Sequence, residues 1–370
     1  MPHFSIITAF RNRDANRVKN SLNSLAAQQY TDFELIFIDY GSSPEITAQV
    51  KPLVDSYSFA QYILTDTFGM YWSRAHSLNI GIKMAQGDIC ILWDIDLMVE
   101  PLFLNQLNQF DFGSIFTTHK CYYLPTDADG GNFRSPHILN KSEQAYVGLC
   151  AVKADVLHQI CGFDEFYQVW GAEDDDLYTR LQACGLQRLL IDTTQIHVYH
   201  QWHATQAPAL PDPWYLTMIS MLYSAEKHKM IDYGKLISAE LRLAKLAFES
   251  GSYKNGQKEE LIMWNKTFMY NNFMYYFYSS SPGTLLYIEH AFPQMDLNKG
   301  MQKLMHWFNS YFTKSKKNIR LINSAQVERT ALRDNIYSFI KYFVGTNRPL
   351  LADYYLDWRP DGFVFIVVKK

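Results

Sequence analysis

The sequence predicts an α/β fold with a mostly parallel central sheet, followed by a mainly helical C-terminal region, and three observations lead there. Short apolar runs alternate with helix-spaced segments through the first half of the 370 residues, the pattern of strands joined by crossover helices. Three expected strands end in polar residues, at Phe10-Arg11-Asn12-Arg13, at Asp39 and at Asp94-Ile95-Asp96. Sheets of this kind carry their sites at the carboxyl ends of strands. Beyond Trp214 the pattern turns helical, after Pro208, Pro211 and Pro213, which interrupt regular structure and mark a boundary. The expected domains are residues 1–207 and residues 208–370.

The elements follow in order. Residues 3–10 (HFSIITAF) form an apolar strand, and residues 14–29 have helical spacing through Val18, Leu22 and Leu25. A second strand, residues 33–39 (FELIFID), ends in the turn Tyr40-Gly41-Ser42-Ser43-Pro44. Residues 46–57 read as a helix, 61–65 as a strand, 73–85 as a helix and 88–93 (DICILW) as a strand. The next hundred residues are less regular: a loop at 127–132, a strand at 146–152, a helix at 176–183 ending at Gly185, and a strand at 188–191. Residues 216–228 and 233–249 look like amphipathic helices, and 362–368 (GFVFIVV) like a strand. Seven aromatics crowd residues 268–278, as core or as a carbohydrate platform. Lys314, Lys316, Lys317 and Arg320 form a basic cluster, a solvated face or a patch for anionic lipid.

Composition narrows the classes. Hydrophobic residues at 48% and charged residues at 19% describe a folded chain rather than a disordered one. With 34 Lys+Arg against 37 Asp+Glu the net charge is −3, which argues against nucleic acid as a partner. No run of about 18 apolar residues signals a membrane helix, and the N-terminus lacks the basic-then-apolar pattern of a secretory signal. The five cysteines are scattered without a CxxC pair, which fits core thiols in a reducing cytoplasm.

Four groups of residues could carry chemistry. Asp94 and Asp96 leave an apolar strand at i and i+2, a spacing that can hold a hard divalent cation and that solvated strand-end acids also show. In Trp170-Gly171-Ala172-Glu173-Asp174-Asp175-Asp176, acids at a helix start gain from unsatisfied N–H groups, which accounts for Asp175 and Asp176. Glu173 and Asp174 come earlier and could project into a cleft as hydrogen-bond acceptor and general base. His197, His200 and His203 recur every third residue, and imidazole beside carboxylate suits a borderline ion. Arg11, Arg13 and Arg74 could neutralise a diphosphate through forked hydrogen bonds, with Asp39 placed to read a base or ribose. There is no GxxxxGK[ST] or GxGxxG loop, no GxSxG and no HExxH, which disfavours P-loop enzymes, dinucleotide dehydrogenases and the corresponding hydrolases.

Together these residues resemble a glycosyltransferase of the GT-A fold, of the bacterial family-two type with a β-1,4-galactosyltransferase-like C-terminal motif. Over residues 3–203 the motif order is similar: FRNR; Asp39 with Gly41-Ser42; Arg74-Ala75 with Leu78-Asn79 and Gly81; the DxD of Asp94 and Asp96; Gly148; Gly162-Phe163-Asp164; WGxEDDD; and HxxH. The resemblance implies that Phe10, Arg11 and Arg13 hold the nucleotide, with Asp39 near the base and Arg74 on the diphosphate. It implies that Asp94 approaches the donor sugar and that Asp96, His200 and His203 bind the metal. Glu173 and Asp174 would take the acceptor hydroxyls, with Asp174 as base, and Trp170 would close over the donor. Tyr146 sits where relatives crowd the sugar 2-position, which leans to galactose. Tyr40 stands in place of a second acid, Ala172 in place of a glycine, and His200 where the animal enzymes carry methionine. Unlike the Golgi enzymes, the chain shows no membrane anchor before the domain.

The implied activity is an inverting, metal-dependent transfer of a hexose, galactose or an N-acetylhexosamine, from a UDP-sugar to a hydroxyl of a glycan or lipid-linked glycan. Mn2+ is the implied ion, with Mg2+ the other candidate. The implied setting is cytoplasmic, with peripheral contact at the inner face of a membrane as an option. Rival readings are a retaining transferase with the same donor site, a nucleotide-sugar phosphohydrolase and a non-catalytic sugar-binding protein.

Overall fold

A computed structural model describes residues 2–126, 138–169, 172–203, 233–252, 273–292 and 324–370. The chain divides into two compact units, Met1–Ala239 and Glu240–Lys370. The junction expected at 207/208, the 127–132 loop, the 216–228 helix, the proline cluster and the basic cluster at 314–320 lie outside the described residues.

The first unit is built on strands β1 (Phe4–Phe10), β2 (Phe33–Asp39), β3 (Ala60–Leu64), β4 (Ile89–Asp94), β6 (Ile115–His119), β9 (Tyr146–Lys153) and β10 (Gln187–Ile191). They lie in the order β10-β6-β9-β4-β1-β2-β3. β1 runs parallel to both β2 and β4, β2 parallel to β3 and β10 parallel to β6, whereas β9 runs against β4 and β6. The order reverses between β1 and β4, which is where a doubly wound sheet opens its crevice. Register then decides what meets there: Phe10 pairs with Asp39 and Ala9 with Asp94, so the three polar strand ends expected from the sequence come out level.

Both faces of this sheet are covered. Phe4, Ile6 and Phe10 share one face with Leu35, Phe37, Ile91 and Trp93, and pack on Val18, Leu22 and Leu25 of helix α1 (Ala15–Ala26) and Val50 and Val54 of α2 (Pro44–Asp55). Ile36, Ile38 and Tyr40 face the other way, against Ile80 of α3 (Arg74–Met84). Each helix start is marked in the sequence. The Asp14 carboxylate accepts the Asn16 and Arg17 N–H groups, Pro44 opens α2, and the Ser73 hydroxyl accepts the His76 N–H, the usual ways of satisfying first-turn donors. α3 comes close to β1 because residue 81 is glycine: a Cβ there would lie 2.2 Å from Cγ2 of Ile7.

A small second sheet sits beside the first, in the order β5 (Leu97–Val99), β11 (Val198–His200), β7 (Tyr122–Tyr123), β8 (Asn140–Lys141). Two short helices, α4 (Phe103–Leu107) and α5 (Ala154–Gln159), complete the connections, and α6 (Glu173–Ala183) precedes β10. α6 begins at residue 173 rather than 176, so the acidic run forms its first turn, where helix N–H groups favour negative charge.

The second unit holds more strand than its sequence pattern suggests. β12 (Leu285–Ala291), β14 (Gly362–Lys369) and β13 (Leu351–Trp358) form an antiparallel sheet of which only the 362–368 run was expected. Helix α7 (Leu243–Ser250) lays Ala244 against Tyr355, Val364 and Ile366. The helix expected over 233–249 starts only at Leu243, because Gly234 is left-handed at φ 65° and the segment before residue 240 is bonded elsewhere. Arg242 and Asp353 make an enclosed ion pair at 2.9 Å, and Asp353 also accepts the Ala244 and Tyr354 N–H groups, the full bonding that a buried pair requires. Of the aromatic stretch, Phe273 and Phe277 are core against Phe343 of α9 (Ser324–Asn347), which follows α8 (Met274–Ser279), while Tyr275 and Tyr278 are exposed. Among the described residues no helix is long and apolar enough to cross a membrane.

The tight α3–β1 contact yields a stability test. Gly81→Ala should lower the free energy of unfolding by ~1–3 kcal/mol through overpacking against Ile7, read by chemical denaturation. A variant as stable as the parent would mean that α3 lies farther from the sheet.

Candidate functional site

Asp94 ends β4, and its Oδ1 accepts Nε of Arg74, the first residue of α3, at 2.9 Å. The same guanidinium reaches across to α6, where Nη1 lies 2.9 Å from Asp174 Oδ1 and 3.9 Å from Glu173 Oε1. Three carboxylates from two elements therefore share one cation. Burial works against the Arg74 charge, but Asp174, Asp94 and Glu173 outweigh it and raise the group further above its ordinary value. Burial also pushes the Asp174 carboxyl up, to about 8, with Glu173 and Asp94 adding to the rise and Arg74 opposing it. One proton retained on Asp174 near neutrality relieves the excess negative charge. The rest of the acidic run has other work. Asp175 is exposed, and Asp176 accepts Nε of Arg180 at 2.8 Å, whose Nη1 donates to the Ile160 and Gly162 carbonyls. Ala172, at φ 69°, makes the left-handed turn into α6, a conformation that glycine adopts more easily.

Asp96 lies two residues past Asp94, and the second sheet delivers its partners from more than a hundred residues away in the chain. β11 pairs antiparallel with β5, setting His200 opposite Leu97, and the Gln201 N–H donates to the Asp96 carbonyl at 2.9 Å. Nε2 of His203 and of His200 lie 3.2 and 3.6 Å from Asp96 Oδ2, and one ligand atom from each of the three residues falls within 4.8 Å of the others. Burial alone would raise Asp96, yet the two imidazoles hold it below the usual carboxylate range; burial holds His200 below the ordinary imidazole value. A deprotonated carboxylate with neutral imidazole is the form in which such groups ligate a metal, and the set suits a divalent ion of borderline softness. His197 is not part of it. It immediately precedes β11, and its Nδ1 meets Glu100 at 2.7 Å, an oxygen shared with the Tyr199 hydroxyl.

The expected nucleotide residues fare differently. The Phe10 side chain is fully buried against Phe37 in the core, so it offers a ligand no surface. Asp39 is equally enclosed, its oxygens accepting the Ser42 N–H and the Thr47 and Tyr62 hydroxyls, bonds that shape the turn after β2. Arg11 donates to the carbonyls of Tyr40, Thr67 and Met70 and lies over the Tyr40 ring, and so braces the loops after β2 and β3. Arg13 is partly exposed in the loop after β1. Tyr146 opens β9, but its side chain, like Trp170 as a whole, lies outside the described residues. Sequence reasoning missed Gln201. Its buried amide accepts Nδ2 of Asn20 and donates to the Arg17 carbonyl, tying the histidine segment to α1. Its place between two candidate ligands was the available signal.

Residues 5–118 match the family model for glycosyl transferase family 2, and residues 132–203 match that for the N-terminal domain of galactosyltransferase. The chain carries a glycosyltransferase domain of the GT-A fold. Beta-1,4-galactosyltransferase 1 of Bos taurus is 29% identical over 133 residues, 34% of this chain and 29% of that protein. The O-antigen biosynthesis protein RfbC of Myxococcus xanthus is 24% identical over 243 residues, 58% of this chain and 18% of that protein. The chain thus spans less than a third of the length of either relative. Among solved structures, the mannosyltransferase PcManGT of Pyrobaculum calidifontis, determined with GDP-Man and Mn2+, aligns over 93% of this chain and 87% of that one, at 13% identity and a TM-score of 0.43.

The histidines on either side of β11 should separate in a binding assay. His203→Ala should weaken Mn2+ binding by more than about tenfold, measured by paramagnetic resonance of the free ion, while His197→Ala leaves it unchanged. Equal losses in both variants would remove the Asp96–His200–His203 assignment.

Proposed function

We propose that the protein is an inverting glycosyltransferase that moves a hexose, galactose or an N-acetylhexosamine, from a UDP-sugar to a hydroxyl of a glycan or lipid-linked glycan. The observation that carries this reading is the adjacency of two charge sets at one sheet edge. One is Arg74 with Asp94, Glu173 and Asp174; the other is Asp96 with His200 and His203. Asp96, His200 and His203 would hold a divalent cation, Mn2+ in preference to Mg2+ given two imidazole donors. When bound, that ion supplies positive charge against the charge building on the departing diphosphate.

The chain's own groups account for the rest. The acceptor oxygen attacks the anomeric carbon as the bond to the diphosphate breaks, and UDP leaves with the bonding electrons. The hydroxyl proton passes to Asp174. Arg74 engages one oxygen of that carboxylate and so fixes its orientation, and a carboxyl raised to about 8 is, once ionised, a stronger base than an ordinary one. Glu173, beside it in the first turn of α6, is the second acceptor-binding group. Asp94, held by Arg74 Nε, faces the donor sugar.

Scoring UDP release over a panel of nucleotide sugars and glycan acceptors tests this reading directly. EDTA should abolish transfer and added Mn2+ restore it; full activity after exhaustive chelation would remove the metal, and free sugar released equally without acceptor would favour a hydrolase. Asp174→Asn should lower kcat by ~10²–10⁴-fold with UDP-sugar affinity near that of the parent. Retention of more than about a tenth of turnover would move the base to Glu173. Because the base must be ionised and its carboxyl is raised, kcat/KM should climb as pH rises toward 8. An acidic limb near the ordinary carboxylate value, about 4, would mean that Asp174 is not the group titrating.

A further inference from the structure

The segment Tyr233–Ile237 follows the last matched motif by thirty residues, yet it is bonded across the first unit at five points. The Tyr233 hydroxyl meets Nδ1 of His158 at 2.7 Å, and Nζ of Lys83 lies 4.0 Å from the Tyr233 ring centre. The Gly234 N–H donates to Glu165 Oε1 at 2.6 Å, the Lys235 carbonyl meets Nε2 of His76 at 2.9 Å, and the Ile237 carbonyl accepts the Asp66 N–H at 3.0 Å. His76, Asn79 and Lys83 occupy one face of α3 by their spacing, and Gly234 seats directly on that helix. A Cβ at Gly234 would lie 2.4 Å from the Asn79 carbonyl oxygen, at a backbone φ of 65°.

These anchors lead to both halves of the site. Glu165 Oε1 also accepts Nδ2 of Asn79 at 2.9 Å, and the Asn79 amide brackets Phe163, whose ring lies beneath the Arg74 guanidinium at 5.9 Å. In the other direction a carbonyl can only accept, so Nε2 of His76 carries the proton and Nδ1 accepts the Tyr40 hydroxyl, at 2.8 Å. The Tyr40 carbonyl and ring in turn hold Arg11, which fastens the loop carrying Thr67 and Met70. We propose that Tyr233–Ile237 is a strap that sets the geometry of the nucleotide-side loop at residues 65–72, with His76 as the positioning residue that transmits it. This rests on the reading of that edge as the UDP-sugar site.

The test uses the full chain. Hydrogen–deuterium exchange is followed in peptides covering 233–239 and 65–72, alongside the Kd for UDP and the donor KM and kcat, in His76→Leu, His76→Gln and Gly234→Ala. His76→Leu and Gly234→Ala should speed exchange in both segments. They should also raise the UDP Kd and donor KM by roughly three- to tenfold, the size of a lost hydrogen bond, with kcat little changed. His76→Gln, whose amide N–H can still reach the Lys235 carbonyl, should recover part of each effect. Faster exchange at 233–239 with 65–72 and the UDP Kd unchanged would overturn the proposal, making the segment a passive tether. Should Gly234→Ala fail to fold, Tyr233→Phe carries the same readouts at smaller size. A parent protein that binds no UDP would defeat the functional reading, while the exchange comparison would still decide whether the two segments are coupled.

Discussion

Arg74 sits among three carboxylates with little access to water, and the charge balance this creates governs the arrangement around it. One guanidinium offsets one carboxylate, so Asp94, Glu173 and Asp174 together leave an excess that a buried site holds only by keeping a proton or gaining a cation. The raised Asp174 carboxyl is the first answer, and the Asp96–His200–His203 set two residues along the same strand end offers the second. The secondary structure serves this balance: α3 begins at Arg74, α6 begins at Glu173, and β4 ends at Asp94. Replacing Arg74 by a neutral residue would leave buried carboxylates facing one another, so its structural and chemical duties cannot be separated by a single substitution.

Much of the first unit was legible because its signals are local. Apolar runs bounded by Gly, Ser and Pro marked the strands, and helix-spaced Val18, Leu22 and Leu25 do face the core. The grouping of Asp96 with His200 and His203 followed from the family resemblance, whereas residue types alone left His197, His200 and His203 as equal candidates; the strand that brings them together, β11, is three residues long and carries no periodic signal of its own. The antiparallel partners in the second unit were missed for a related reason. Leu285–Ala291 and Leu351–Trp358 mix aromatics with charges, and their identity as strands comes from pairing with β14 rather than from their own pattern.

The strand-end residues show what motif position alone does not report. Phe10, Arg11 and Asp39 stand where a nucleotide contact is expected, but a sheet edge also needs its loops braced. A guanidinium with five donors is well suited to collecting carbonyls from two segments, and a buried aspartate to capping a turn. Position along the chain carries no sign of this bracing; the hydrogen-bond partners show it.

The reversed strand β9 has a consequence for how such a domain can change. In a wholly parallel sheet every strand brings the chain toward the site edge and every helix carries it away. β9 runs the opposite way, leaving that edge at Tyr146 and reaching the far side at Lys153, so the chain comes back to the edge a further time on its way to α6 without needing another strand. The β1–β2–β3 side of the edge is thereby fixed by consecutive parallel strands. The segments before β9 and before α6 are spliced in around a single inverted piece, and they can lengthen or be exchanged without disturbing the register of β1, β2 and β4. One half of the edge is framework and the other is replaceable, a division of labour written into the direction of one strand.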